Sequence, residues 1–141
     1  MRLALVLGLL LLAPLVLAAP ADHRAWAGPI THDLVYKPSA EATIYRTLYG
    51  EPGCHGSGIG IVDVDLAAGS LKIVNPDNEC IPGFTTLSTG CAVDADEHVR
   101  CAYDVGNVHI HADISPAGDL VFTYDDPGFN EVIRGTLSRI A

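Results

Sequence analysis

The stretch VRCAYDVGNVHIHADI, residues 99–114, predicts a β-hairpin and decides the fold class. Apolar and polar residues alternate on both sides of Gly106-Asn107, a dipeptide typical of a two-residue hairpin turn. Such a turn determines the register, so Val105 faces Val108 and each pair further from the turn follows from it. The stretch therefore predicts two paired antiparallel strands.

The alternation divides this hairpin into two faces, as in a sheet with one buried side. The apolar face is predicted to point inward and carries Val99, Cys101, Tyr103, Val105, Val108, Ile110, Ala112 and Ile114. The polar face is predicted to meet water and carries Arg100, Ala102, Asp104, His109, His111 and Asp113. The register places Asp104 opposite His109 and Arg100 opposite Asp113, two complementary cross-strand pairs.

The polar face also has the side chains of a metal site. His109 and His111 alternate on one strand, so both imidazoles lie on one side, about 7 Å apart at the backbone. Imidazole nitrogens, joined by a carboxylate from Asp104 or Asp113, suit Zn²⁺ or Cu²⁺. The cross-strand pairs explain the same residues without a metal, and we expect no cofactor. Zn²⁺ or Cu²⁺ binding is the alternative.

Short β-rich runs, separated by Gly, Pro, Asn and Asp, recur about every ten residues along the chain. No stretch has a helical period, and residues 49–58 are rich in turn-forming residues. This pattern predicts an all-β fold, a small antiparallel β-sandwich or barrel with two disulfides. The predicted strands are 42–48, 59–66, 70–74, 99–105, 108–115, 120–126 and 131–140, with a weaker one within 85–93.

The loop after Ser115 leaves two arrangements open for the next strand. A plain four-residue loop places Phe122 and Tyr124 beside Asp113 and His111, where they cover the polar face. A bulge at Gly118 sends both aromatic side chains into the core instead.

The chain begins with MRLALVLGLLLLAPLVLA, residues 1–18, which has the layout of a secretory signal peptide. Cleavage after Ala18 or after Ala21 satisfies the small-residue rule. Residues 19–41 contain three prolines and no sustained period, which predicts an extended N-terminal segment. The remainder, 42–141, is predicted to be a single disulfide-stapled β domain, and no membrane span is expected after signal cleavage.

All four cysteines lie beyond the predicted leader, and an even number in an exported domain indicates disulfides. Two disulfides allow three connectivities, of which we favour Cys54–Cys80 with Cys91–Cys101 because they close the shortest loops. A four-cysteine zinc site is disfavoured, since no C-x-x-C pair occurs.

The formal net charge of the chain is −9 at pH 7, and loss of the leader with Arg2 makes it more negative. Such a protein repels nucleic-acid backbones and anionic lipid surfaces. We therefore expect neither as a partner, and predict instead an extracellular protein or glycan.

The runs ATIYRTLYGEPGCHGSG (42–58), DNECIPGF (77–84), TGCAV (89–93) and VRCAYD (99–104) resemble small secreted cysteine-containing proteins of filamentous fungi. The resemblance covers roughly residues 42 to 104, and the insertion between the first two cysteines is long for it. Many such proteins look like compact all-β domains that act as effectors outside the cell or on a host. The resemblance implies this class only, and no functional residue carries over.

These observations favour a secreted, acidic protein that acts by extracellular binding, in the manner of an effector or virulence-type interaction protein. A secreted metal-binding protein that uses His109 and His111 is the first alternative. A small secreted hydrolase is the second, although no catalytic spacing selects its residues. Enzymatic activity is therefore not the favoured interpretation.

Overall fold

The computed structural model describes residues 22–40, 43, 53–74, 84–88 and 90–141, and these residues form an all-β fold, as predicted. Every strand pairing among them is antiparallel. The strands are β1 (His23–Tyr36), β2 (Gly53–Asp65), β3 (Ser70–Val74), β4 (Phe84–Ser88), β5 (Gly90–Val93), β6 (Val99–Val105), β7 (Val108–Ile114), β8 (Asp119–Asp125), β9 (Phe129–Thr136) and β10 (Ser138–Arg139).

The strands lie in the order β4-β3-β2-β1-β9-β8-β7-β6-β5, and β10 pairs with the first half of β1. Strand β1 thus joins two meanders, one formed by β2 to β4 and the other by β5 to β9. The sheet curls until β5 approaches β3. Because this brings the two ends of the sheet together, the architecture is a nearly closed antiparallel barrel.

Strand β1 is formed by residues of the predicted N-terminal segment 19–41. It pairs with β2 along its whole length and with β9 from Ile30 to Tyr36. Burial alternates along this half, so Ile30, His32, Leu34 and Tyr36 face the interior. The segment is therefore an integral strand of the sheet, which supplies hydrogen bonds to both meanders.

Residues 53–58, which the sequence predicts as part of a turn-rich segment, are instead the first part of β2. Two residues further along β2, Gly60 lets the strand pack closely against a neighbouring side chain. A Cβ atom on Gly60 would lie 2.5 Å from the Ile30 side chain. Ile30 thus lies over this part of β2, and a larger residue at position 60 would displace it.

The interior of the barrel is filled by apolar side chains from β1, β2, β3 and β5 to β9. Phe122 is 1% exposed and pairs with Ala112. Of the two arrangements predicted for β8, the structure therefore has the one in which its aromatic residues face the core and not the polar face. The turn before β8 contains Gly118 at φ +93°, a backbone conformation that residues other than glycine rarely adopt. A Cβ there would also overlap the Leu137 carbonyl oxygen, so this turn requires glycine.

The disulfide Cys91–Cys101 is present and joins β5 to β6. Cys80 lies outside the described residues, so the second predicted disulfide, Cys54–Cys80, stays a prediction. The predicted strand 42–48 also lies outside the described residues, apart from Thr43.

The predicted last strand, 131–140, is divided in the structure. Strand β9 ends at Thr136, and the buried Leu137 separates it from β10. No helix capable of spanning a bilayer occurs in the part of the chain that the structure describes.

Candidate functional site

The β6–β7 hairpin has the register that its sequence predicts. Asp104 pairs with His109, Ala102 with His111 and Arg100 with Asp113. The turn at Gly106 has φ +57°, which suits the turn type that Gly and Asn favour. The polar residues of both strands therefore share the outer face of the barrel, as predicted.

The inner face is buried at the base of the hairpin but not on the β6 side of its other end, although Ile110 of β7 is still only 6% exposed there. Val99 and Ile114, at the base, are 1% exposed, whereas Tyr103 and Val105 are 38% and 56% exposed. The prediction that Tyr103 and Val105 point into a core is therefore wrong. The neighbouring strand explains the difference, because β5 pairs with β6 only as far as Ala102. Beyond that residue, no described strand pairs with this edge of β6.

We define the hairpin tip as residues 103–109. Its polar side is organised by Asp104, whose carboxylate contacts both histidines of β7. His109 Nδ1 lies 2.7 Å from Asp104 Oδ1, and His111 Nε2 lies 2.9 Å from both carboxylate oxygens. Hydrogen bonds from His109, and then from His111, lower the pKa of Asp104. The contact of Asp104 with His109 follows from their direct cross-strand pairing, as predicted. The contact of Asp104 with His111 joins diagonal neighbours and was not predicted.

Asp113 belongs to a separate cluster at the base of the hairpin. Its carboxylate lies 2.6 Å from His98 Nδ1 and accepts a 2.8 Å hydrogen bond from Arg100 Nε. Arg100 also reaches Asp94, at 3.1 Å. The predicted Arg100–Asp113 pair is thus present, and Asp113 is not grouped with His109 and His111.

The pKa values in this base cluster follow from the same contacts. Partial burial is the largest influence on the pKa of Asp113 and raises it, but the contacts with His98 and Arg100 outweigh burial and lower the pKa overall. The hydrogen bond to Asp113 is the main reason that the pKa of Arg100 is raised. The cluster therefore favours a carboxylate and a guanidinium that both remain charged.

The two clusters differ from a preformed metal centre. In the described part of the chain, no set of three or more His, Cys, Asp or Glu side chains is arranged so that it could hold a metal ion. At the tip, both imidazoles contact the carboxylate of Asp104 directly. The Asp104 carboxylate thus occupies the position between the two imidazole rings that a shared metal ion would need.

Pairing between histidine and a carboxylate extends to all six histidines of the chain. Besides the three on the hairpin and its approach, His23 Nε2 lies 2.6 Å from Asp63, and His55 contacts Asp33. These pairs are partly or fully exposed, so each contributes little to stability.

The remaining histidine forms a buried pair that the sequence analysis missed. His32 Nε2, on β1, lies 2.9 Å from Glu131 Oε1, on β9, and the two side chains are 3% and 10% exposed. The alternation of 30–36 could have identified His32 as inward-facing, but its partner lies on a strand distant in sequence. Removing one member would leave the other polar group buried without this partner, which is costly.

A second polar group that the sequence analysis missed closes the β8–β9 turn. Asp126 accepts hydrogen bonds from the Gly128 and Phe129 amides, at 2.6 and 2.9 Å, and from the Tyr124 hydroxyl, at 2.9 Å. The rings of Tyr124 and Phe129 are stacked, with centroids 4.9 Å apart. These contacts serve the turn and do not form a reactive group.

Comparison with known proteins does not assign the chain to a family. No protein-family model matches it. No curated protein has significant sequence similarity to it.

Proposed function

We propose that the protein is secreted and acts outside the cell by binding a protein or glycan partner, in the manner of an effector. We further propose that the hairpin tip is the binding surface. The observation that carries this proposal is the exposure of Tyr103 and Val105 on the part of β6 that lies beyond its pairing with β5. Neighbouring exposed apolar side chains mark interaction sites, and tyrosine is among the most frequent anchors of such sites.

The two sides of the tip complement each other for recognition. Tyr103 and Val105 offer apolar area, and the opposite side offers the Asp104 carboxylate with His109. A binding surface commonly combines an apolar centre with a polar rim that provides specificity. The net negative charge of the chain favours a neutral or basic partner over an anionic one.

Secretion is supported by two features of the chain. Residues 1–18 have the composition of a signal peptide. The Cys91–Cys101 disulfide is compatible with an oxidising compartment outside the cytoplasm.

The test compares two valines of almost equal exposure. Val105, at the tip, is 56% exposed, and Val35, on β1, is 54% exposed. The wild type, Val105→Ser and Val35→Ser are applied to arrays of glycans and of purified extracellular proteins. We expect Val105→Ser to lose binding at least about tenfold, as for a buried interface anchor, and Val35→Ser to bind as the wild type does.

Either of two results would contradict the proposal. One is that the wild type binds no member of either array. The other is that Val35→Ser weakens binding as much as Val105→Ser does, since the surface would then not be the tip. Circular dichroism of each variant verifies that the fold is intact.

Metal binding is the second candidate function, because the Asp104 carboxylate contacts both His109 and His111 on an exposed surface. These side chains would hold Zn²⁺ or Cu²⁺ after the imidazoles exchange their contacts with Asp104 for contacts with the ion. Their exposure leaves room for that rearrangement. The ion would act as a bridge to a partner or as captured cargo.

Calorimetric titration of Zn²⁺ and of Cu²⁺ into the metal-free protein tests this candidate. The variant His109→Ala/His111→Ala is compared with His23→Ala/His55→Ala, which removes two histidines that each contact a different aspartate. One-to-one binding that only the first variant loses supports metal capture. Binding that both variants retain, or no binding by the wild type, contradicts it.

A further inference from the structure

A cleft of about 610 Å³ lies at the base of the β6–β7 hairpin, at the opposite end from the tip. The apolar part of its lining that is open to solvent comes from Val93, Pro116 and Ala117. The turn with Gly118 forms another wall and packs directly against Leu137, whose amide donates a 2.8 Å hydrogen bond to the Gly118 carbonyl.

Two arginines line this cleft, although acidic residues outnumber Lys and Arg by seventeen to eight in the chain. Arg24 comes from β1, and Arg139 comes from β10, which pairs with β1. Arg100 and Lys37, in contrast, form ion pairs with aspartates. Neither Arg24 nor Arg139 forms an ion pair with an Asp or Glu side chain of the described residues.

The Arg24 side chain has one donor that the fold leaves unpaired among the described residues. Its Nε atom is buried and has no hydrogen-bond partner in the described ranges. A buried donor of this kind costs free energy unless a ligand or a solvent molecule accepts its hydrogen bond. Arg24 therefore contributes to the cleft lining a guanidinium whose Nε donor is unpaired among the described residues.

Arg139 is oriented by two contacts with the fold. Its Cζ atom lies 5.4 Å from the ring centroid of Trp26, and its Nε donates a 2.6 Å hydrogen bond to the Ala141 main-chain oxygen. A guanidinium that is stacked and anchored in this way loses little side-chain entropy when it binds an anion. Trp26 also lines the cleft and is 4% exposed.

We propose that this cleft binds a small organic carboxylate with an apolar body, held by the guanidinium groups of Arg24 and Arg139. The arginines supply forked donors that match a carboxylate. The apolar walls and the cleft volume favour a molecule of several carbons over an inorganic anion. Glu97, also at the cleft, opposes a second negative charge on the ligand. The site is independent of the hairpin tip and of the function proposed for it.

The test uses Trp26, the only tryptophan of the chain, as a fluorescent reporter. Hexanoate is titrated into the protein in parallel with hexanamide, its uncharged counterpart, and with inorganic phosphate. We expect a saturable change with hexanoate and none of comparable size with the other two. Arg24→Gln and Arg139→Gln should each weaken hexanoate binding by at least about tenfold, as loss of a charged hydrogen bond does.

Two further variants serve as controls. Arg134→Gln removes an arginine outside this cleft and should leave the affinity for hexanoate unchanged. Glu97→Gln removes the opposing charge and should strengthen binding. Binding that is absent in the wild type, equal for hexanamide or phosphate, or unchanged in both Arg24→Gln and Arg139→Gln would overturn the proposal.

Discussion

The two ends of the β6–β7 hairpin have the same sequence pattern and opposite environments. At the base, Val99 and Ile114 are 1% exposed; at the tip, Tyr103 and Val105 are 38% and 56% exposed. Alternation determines which way a side chain points, but the neighbouring strands determine whether anything covers it. Because β5 stops pairing at Ala102, the base belongs to the core, whereas Tyr103 and Val105 at the tip are exposed.

The largest expected effect is a difference in how strongly substitutions at the two ends of the hairpin destabilise the protein. Ile114→Ala should destabilise the protein by about 2–5 kcal/mol, because it leaves a cavity in a packed interior. Val105→Ala should change stability by no more than about 0.5 kcal/mol, as exposed substitutions usually do. Urea unfolding, followed by circular dichroism, measures both. Equal losses for the two variants would show that the tip is as tightly packed as the base.

An intermediate effect is expected from the disulfide beside the base. Cys91 and Cys101 are separated by 10 positions, and closing a loop of that size stabilises a fold by about 2–3 kcal/mol in the chain-entropy model. The Cys91→Ser/Cys101→Ser variant should therefore unfold at a lower urea concentration. Its hairpin-tip amides should keep their NMR shifts, because the bridge acts on the base. Shift changes centred on the tip would contradict this division.

The smallest expected effect is the loss of folding stability at low pH. The pKa values of Asp104 and Asp113 are both lowered from 3.8, so their ionised forms stabilise the native state. This contribution is fully present above the unfolded-state pKa and is lost as the pH falls through the lowered native pKa. Stability should therefore decline as the pH falls below about 4.

The loss of stability at low pH should also differ between the two ends of the hairpin. The Asp113 side chain is 38% exposed and that of Asp104 is 49% exposed, so solvent screens the contacts of Asp113 less. Asp113→Asn should therefore remove more of the acid-induced loss than Asp104→Asn does. Unfolding midpoints of the three proteins between pH 6 and about pH 2 measure this. A larger effect of Asp104→Asn would contradict the prediction that Asp113 contributes more.

Sequence reasoning succeeded where local rules are sufficient. The Gly106-Asn107 turn and the alternation around it predicted the register, and the pairs Asp104–His109 and Arg100–Asp113 followed from that register. The disulfide Cys91–Cys101 was favoured because it closes a short loop, and it is present. Each of these predictions depends on residues that are close along the chain.

Features that depend on distant strands were not predictable in this way. The prolines of 19–41 hid strand β1, whose pairing depends on β2 and β9. The His32–Glu131 pair and the cleft with Arg24 and Arg139 each join the first strand to the last ones. Alternation also does not indicate where a covering strand ends, so the exposure of Tyr103 was missed.

The most direct test of the account is array binding by the double variant Tyr103→Ala/Val105→Ser, measured on protein whose urea-unfolding midpoint matches that of the wild type. The account predicts that this stable variant loses the binding to a glycan or extracellular protein that the wild type shows. Retention of binding by the variant would contradict the claim that the hairpin tip is the functional end of the molecule.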